Sequence, residues 1–449
     1  MLHDSIFKAY DVRGIYPEEL DESAAYEIGR AFAVFLTSRG EPRQVIVGRD
    51  IRLSSPVLTR TFIDGVTDGG LDVADAGETT VDMIYFASAA LHLPACMITA
   101  SHNPKQWNGF KLMAKDLDLL GQDSGLEEIK NLAARKNWPE TEKGKVTKES
   151  VTEEFIRHAL GFIDADLIRP MRIVADTGSG SVGPLLKEVI KKLPLECKAL
   201  HFDPDGNFPY HEPNPSHDAN LEDLKSEVRA GHYHFGCAFD GDGDRAVFVD
   251  ENGNALSPSI TGAIMARYFL AKSPGDNIVY GVSVSRIVPE TIQVYGGVPI
   301  RERVGHTFIK RKLHEVDGIF ACESSGHYFF RKNFYADSAI ISFLIMLDIL
   351  SGTKKSLSSL AAAFSKYVST PEINFKVADP AKAVQEIAKK FEGFNTDRLD
   401  GLTVTTEDFW LNLRSSNTEP LLRLTIEAKD ELILERVKKD IIELIKCLS

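Results

Sequence analysis

A succession of strand, polar turn, helix and strand recurs three times along the chain, and it restricts the possible folds more than any other feature. Residues 44–50 read QVIVGRD, a β-branched run ending in a Gly-containing turn, followed by PVLTRTFIDGVTDGG and then LDVADAG. The second copy is MRIVADTGSG (171–180), PLLKEVIKKL and CKALHFD, and the third is NIVYGVSVS (277–285), IVPETIQVYGG and VPIRERVG. A strand joined to a parallel neighbour through a helix is a crossover unit of one preferred hand. Three such units in one chain read as an internal triplication.

Each unit continues into a further strand that ends in a polar loop: ACMITA then SHNP, HFGCAF then DGDGDR, and GIFAC then ESSGH. Ligands of α/β sheets gather at the carboxyl ends of strands, so three such loops in corresponding positions predict one shared cleft. From about residue 370 the order changes to strand (INFKV), helix (PAKAVQEIAKKF), three strands (LTVTT, FWLNLRSS, LLRLTIEA) and helix (ELILERVKKDIIELIKCL). That is an α+β arrangement. The expected architecture is α/β: three similar mixed α/β modules around a central cleft, plus a C-terminal α+β domain. The expected domains are 1–150, 151–253, 254–368 and 369–449, carrying respectively the serine, acidic, ESSGH and RSSNTEP loops. No Gly/Ser tract separates them.

Composition excludes several classes. With 52 Lys+Arg against 65 Asp+Glu the formal net charge is −13, the wrong sign for a general nucleic-acid binder. The opening MLHDSIFKAYDVRG has no apolar core behind a basic start and does not read as a secretory signal. The longest apolar run, AIISFLIMLDIL (339–350), contains Asp348 and is too short to span a bilayer. It reads as a buried core helix. The five cysteines are odd in number and without C-x-x-C spacing, which disfavours disulfides and thiolate zinc sites and fits reduced thiols in a cytoplasmic protein. No partner nucleic acid or membrane is expected, and the chain is expected to be a monomer or weak dimer.

The first loop, TASHNPKQWNGFKLM, sets Ser101 directly after a strand at an Asn-Pro turn, with His102 and Lys111 as candidate helpers. A serine hydroxyl is a weak nucleophile without a base or metal, and no G-x-S-x-G elbow surrounds it; a plain turn is the alternative. In FDGDGDRAVFVD, Asp240, Asp242 and Asp244 alternate with glycines. Three carboxylates so close repel unless a cation neutralises them, and an all-oxygen set suits Mg²⁺. Glu251 falls at the twelfth position of a calcium-type loop, but Arg245 stands where that loop needs Gly and AVFV reads as a strand. Arg245 can offset the carboxylates or hold a phosphate. In CESSGHYFF, Glu323, Ser325 and His327 offer partners for vicinal hydroxyls, or else cap a loop. In RSSNTEP, Arg414, Ser415, Ser416, Asn417 and Thr418 make a phosphate cradle, or a polar turn.

TASHNP with NGFK after it, DGDGDR, ESSGH and RSSNTEP, in that order and at domain-scale spacing, resemble the four signature loops of the α-D-phosphohexomutases. This family includes bacterial phosphomannomutase/phosphoglucomutase and phosphoglucosamine mutase. The opening FKAYDVRG resembles its N-terminal segment, and the likeness covers essentially the whole chain. It implies that Ser101 carries a phosphoryl group and exchanges it with a hexose 1- or 6-phosphate through a hexose 1,6-bisphosphate. It also implies Mg²⁺ held by Asp240, Asp242, Asp244 and the serine. Lys111, His102, Arg13 and Tyr10 would line the transfer point, with Lys111 a base or acid only if its amine is tuned downward, and Arg245 would steady the phosphoryl group. Glu323, Ser325 and His327 would grip the sugar, Arg414, Ser416, Asn417 and Thr418 would hold the idle phosphate, and His306 and Lys310 resemble a further substrate-contacting segment. Ser324 stands where the phosphoglucosamine branch typically has Gln, which argues against that substrate, and where the dual-specificity enzymes often have Met. Arg286, in SVSR, lies in a turn where some relatives carry Lys.

Three readings follow. The first is a phosphosugar mutase acting on mannose and/or glucose phosphates. The second is a metal-dependent phosphatase with the same serine chemistry. The third is a non-catalytic binding protein, against which the intact serine and acidic triplet argue. No G-x-x-x-x-G-K-[ST] loop indicates direct use of ATP.

Overall fold

The computed structural model describes residues 2–415 and 421–447. The chain divides into two compact units, Met1–Leu256 with Ser325–Ser358, and Ser257–Ser324 with Ser359–Ser449. The first three modules share one strand order. In the first, Gln44–Arg49 lies between Asp72–Glu78 and Ala95–Ile98, parallel to both. In the second, Met171–Asp176 lies between Leu195–Leu200 and Phe235–Phe239, again parallel to both. In the third, Asn277–Gly281 lies between Val298–Glu302 and Phe320–Cys322, also parallel. The central strand of each is the first in sequence, so the triplication extends to topology.

The chain turns back after the loop of the first two modules. Trp107–Ala114 runs antiparallel to Ala95–Ile98, and Ala246–Asp250 antiparallel to Phe235–Phe239. The first sheet is closed on that side by Val12–Ile15, which pairs with Trp107–Ala114. The central strands are buried on both faces, as Val45, Ile46 and Val47 or Ile173, Val174 and Ala175 show, because helices cover both sides of a parallel sheet. One of these helices is Ala339–Ser351, apolar but for Ser342, Asp348 and Ser351, and buried over most of its length. Phe343 from it packs against Phe235 and Phe239 at 6.2 Å between ring centroids. No helix of the described residues is long and apolar enough to cross a membrane.

The C-terminal part of the second unit is an antiparallel sheet. Phe409–Ser415 lies between Leu402–Thr405 and Leu422–Ala428. Leu411, Leu413, Leu422, Leu424 and Ile426 alternate along these strands toward one core. Leu434, Val437, Ile441 and Ile445, one stripe of the helix Glu431–Lys446, meet them there. Asp379 and Asp430 cap the two helices of this sheet by accepting the Lys382 and Ile433 amides at 3.0 and 2.9 Å.

Candidate active site

The site of the first unit forms where two strand ends meet. Ser101 follows Ala95–Ile98 at φ +51°, a left-handed conformation uncommon for serine. Its amide donates to Thr99 Oγ1 at 2.8 Å, and Thr99 Oγ1 in turn donates to Asp242 Oδ2 at 3.2 Å. Ser101 Oγ donates to Asp240 Oδ2 at 3.1 Å and lies 3.2 Å from His102 Nδ1. Ser101 and the acidic triplet, far apart in the chain, therefore lie within hydrogen-bond distance of each other. Gly241 allows the approach: a Cβ there would sit 2.7 Å from the Ser101 carbonyl oxygen.

Asp240 Oδ1 accepts the amides of Gly243, Asp244 and Arg245 at 3.0–3.1 Å, which winds the DGDGDR loop around one carboxylate. The three carboxylates are buried and present oxygens within 4.8 Å of one another. Burial, then Asp244 and Asp242, push the Asp240 carboxyl well above its ordinary pKa, the signature of crowded negative charge. Asp242 Oδ1 and Asp244 Oδ1 are buried with no hydrogen-bond partner. A divalent cation fits such a set, since two buried carboxylate oxygens need a partner and all the donors are hard oxygens.

Lys111 reaches two of these carboxylates. Its Nζ donates to Asp242 Oδ2 at 2.9 Å and Asp244 Oδ2 at 2.8 Å. Burial alone would lower its pKa, but the two carboxylates hold it well above the ordinary value. With these partners Lys111 is an ammonium that offsets the charge of the triad. His102 goes the other way: burial, then Arg245 and Arg13, hold its ring well below the usual pKa, so it is neutral. Arg13 donates to Asn103 Oδ1 at 2.6 Å and to Asp11 Oδ2 at 2.5 Å, tying the N-terminal strand to the serine loop. Tyr10 is half-buried in the segment leading into that strand.

His327 sits in this same network. Its Nδ1 lies 2.5 Å from Asp337 Oδ2, and its Nε2 accepts from Arg245 Nε at 2.9 Å. Arg245 and His327 also form a backbone bridge. His327 is thus held by Arg245 of the acidic loop through Nε2 and by Asp337 through Nδ1. Ser325 is half-buried, and its carbonyl accepts from Ser216 Oγ at 3.4 Å.

In the second unit Glu323 Oε1 accepts the Gly305 amide at 3.0 Å, just before the helix His306–Glu315. His306 opens that helix and Lys310 follows a turn later, both half-buried. Ser324 Oγ and Ser283 Oγ are 2.7 Å apart. Arg286 donates to Glu427 Oε1 through its amide and Nε, at 3.1 and 3.3 Å, so it fastens the third module to the C-terminal sheet. Arg414 is buried and donates to Glu372 Oε2 at 2.7 Å. Ser416, Asn417 and Thr418 lie outside the described residues.

Arg52 escaped the sequence reading. Its Nε donates to Asp50 Oδ2 at 3.0 Å. Its Nη1 donates to the Pro104 and Trp107 carbonyls at 2.8 and 3.1 Å, and its Nη2 to those of Ser101 and Asn103 at 2.8 and 2.7 Å. One buried guanidinium thus shapes the serine loop. The available signal was GRDIR: a strand-end arginine beside an aspartate, at the same sheet edge as Ser101.

The chain resembles known proteins along nearly its whole length. The chain matches the phosphoglucomutase/phosphomannomutase alpha/beta/alpha domains I, II and III over residues 4–139, 153–253 and 257–367, and the C-terminal domain over 372–444. It is 37% identical to a phosphomannomutase of Methanocaldococcus jannaschii over 99% of this chain and 98% of that protein. It is 36% identical to a phosphomannomutase/phosphoglucomutase of Pseudomonas aeruginosa, over 97% of this chain and 94% of that one. The crystal structure of a phosphoglucomutase/phosphomannomutase family protein from Burkholderia thailandensis superposes with a TM-score of 0.92 at 33% identity, covering 100% of this chain and 98% of that one. With all four domains matched in order and identities of this size over nearly the full length, the chain belongs to the phosphoglucomutase/phosphomannomutase family.

Proposed function

We propose that the chain is a phosphohexomutase that interconverts hexose 1-phosphate and hexose 6-phosphate, on mannose and/or glucose, through phosphorylated Ser101 and a hexose 1,6-bisphosphate. The observation that carries this reading is the 3.1 Å contact of the Ser101 hydroxyl with Asp240, inside a triad whose other two carboxylates have unpartnered oxygens. Asp240, Asp242, Asp244 and Ser101 would hold Mg²⁺, which when bound supplies charge neutralisation for the transferring phosphoryl group. The chain's own groups do the rest. Ser101 Oγ takes the phosphoryl group from the bisphosphate as the phosphorus–oxygen bond to the sugar breaks; the serine proton passes to the neutral ring of His102, 3.2 Å away, and the sugar oxygen takes up one proton to leave as a hydroxyl. Lys111 and Arg245 supply fixed positive charge beside the reacting group. Glu323 and Ser325 bind sugar hydroxyls, Arg414 with Ser416, Asn417 and Thr418 binds the idle phosphate, and Tyr10, Arg13 and His306 complete the contacts. Ser324, standing where the phosphoglucosamine branch typically has Gln, argues against glucosamine and leaves the choice between mannose and glucose open.

The test supplies mannose 1-phosphate or glucose 1-phosphate with Mg²⁺ and a trace of the bisphosphate. Isomerisation without inorganic phosphate is expected, and Ser101→Ala should lower turnover by about 10³-fold or more, the scale of losing an activated nucleophile. Stoichiometric phosphate release would replace the mutase reading with the phosphatase one. Undiminished turnover by the Ser101→Ala protein would end the assignment of the serine.

A further inference from the structure

Among the described residues, a second group of metal-ligating side chains stands apart from the acidic triad, at the end of the strand Met171–Asp176. Asp176 Oδ1 lies 3.1 Å from His201 Nδ1, and Asp176 Oδ2 lies 3.1 Å from His211 Nε2. The three residues come from the strand end and from two points of the long connection that follows Leu195–Leu200. Asp176 is buried and the two rings nearly so, with 11% and 15% of their side chains exposed. None of these residues takes part in the chemistry proposed above. A further grouping, Asp244 with His327 and Asp337, shares a carboxylate with the triad and belongs to that site.

We propose that Asp176, His201 and His211 form a second metal site, selective for a transition ion of the Zn²⁺ class and distinct from the oxygen-only Mg²⁺ triad. Two imidazoles and a carboxylate are the donor set that suits such an ion, with remaining positions open to water. One ligand atom from each residue lies within 4.8 Å of the others, and the two rings meet the two oxygens of Asp176 at 3.1 Å, against roughly 3.3 Å between ligand atoms of a tetrahedral zinc.

The outer nitrogens are arranged as metal-bound histidines require. His211 Nδ1 lies 2.8 Å from the Glu212 carbonyl, so it carries the proton and leaves a lone pair on Nε2 facing Asp176. His201 Nε2 faces Asp223 Oδ2 at 3.7 Å, while its Nδ1 donates to Asp176 Oδ1 and would give up that proton to a metal ion. The Gly178 amide donates to Asp176 Oδ1 at 2.9 Å and orients the carboxylate. Tyr210 stacks on the His201 ring with centroids 4.0 Å apart and limits its rotation. The His211 Nε2 lone pair and the Asp176 carboxylate repel unless a cation lies between them. A proton can serve as that cation: burial disfavours a charged His211 ring, yet contact with Asp176 raises its pKa above the ordinary value. A metal ion would serve both rings at once.

The site also has a mechanical consequence. The Pro213 carbonyl, two residues beyond His211, accepts the Gly241 amide at 3.2 Å, and the Ser181 amide donates to the Gly241 carbonyl at 2.9 Å. The ion would brace the turns on which the middle of the DGDGDR loop rests.

The experiment uses the full chain with excess Mg²⁺ to occupy the triad, and titrates Zn²⁺ against a chromophoric chelator. One tightly held equivalent is expected, with affinity weakened at least about tenfold by His201→Gln or His211→Gln. Should either variant fail to fold, X-ray absorption at the zinc edge of the unaltered protein decides. Two imidazoles per zinc are expected, a count that neither the triad nor the His327 grouping supplies. Failure to retain Zn²⁺, affinity unchanged in a folded His201→Gln protein, or fewer than two imidazoles would each overturn the proposal.

Discussion

Five N–H donors in one rigid fork are what Arg52 contributes, and all five are used on Asp50 and four carbonyls. A lysine keeps the charge but has three donors and no planar geometry. Arg52→Lys would leave at least two buried carbonyls short of a partner, at about 1–3 kcal/mol each, and would let Ser101 drift. Because a displacement of about 1 Å can cost about 100-fold in rate, we expect kcat on mannose 1-phosphate to fall by that order. Circular dichroism at room temperature should remain that of the parent. An unchanged kcat in the Arg52→Lys protein would show that the serine loop holds its own shape. Arg52 illustrates why part of the site was illegible in the sequence. Ser101, Asp240, Asp242 and Asp244 announce their chemistry by residue type and by position at strand ends. The value of Arg52 depends on carbonyls around residue 104, which no residue type marks. The surroundings of Lys111 were hidden for a related reason: its two carboxylate partners are more than 130 positions away, so nothing local foretold these contacts.

At the level of elements, periodicity and turn residues were sufficient for the crossover units, since strands buried on both faces read as continuous β-branched runs. The return strand Trp107–Ala114 was not legible. Its Asn108 and Gly109 resemble a loop, but a Cβ at 109 would lie 2.1 Å from the Val12 carbonyl oxygen, so the neighbouring strand demands glycine there. The helix Thr152–Leu160 offers a test of packing by pH. His158 on it stacks on Phe334 at 5.6 Å, lies 4.8 Å from the Phe86 ring and bonds Asn333 Oδ1 through Nε2 at 2.9 Å. Burial lowers its pKa, against the opposing bond to Asn333. A depressed histidine pKa means that the unfolded chain binds the proton first. Its contribution is therefore intact above the unfolded value of about 6.5 and is lost as pH falls through the folded value. Replacing it by His158→Gln, which keeps a polar partner for Asn333, should flatten the fall in Tm between roughly pH 7 and 5. An equal slope in parent and variant would place that acid sensitivity elsewhere.

On the scale of the molecule, the compact units do not follow the order of the modules. The first unit takes back Ser325–Ser358 after the chain has left it at Leu256. The reason lies in the helix Ala339–Ser351. Beyond Phe343 against Phe235 and Phe239, it packs on the strand Ala246–Asp250 and the helix Thr152–Leu160. Its N-cap Ser338 donates to the buried carboxylate of Asp82 at 2.7 Å. Ile340, Ile341, Phe343, Leu344, Ile345 and Leu347 are all fully buried. Each such side chain contributes about 1.5–3 kcal/mol, whereas a whole domain is stable by only about 5–15 kcal/mol. A fragment ending at residue 256 should therefore fail to fold, although it contains two complete modules and every acidic-triad residue. The same fragment joined through a Gly/Ser linker to residues 325–358 should recover a cooperative thermal transition and a near-ultraviolet circular dichroism signal. The pair separates two views of the chain, as modules that fold in sequence or as units completed by a later segment. A cooperative transition in the shorter fragment would favour the first. Its appearance only when residues 325–358 are restored would mean that the first two modules reach their packed state once the third has been made.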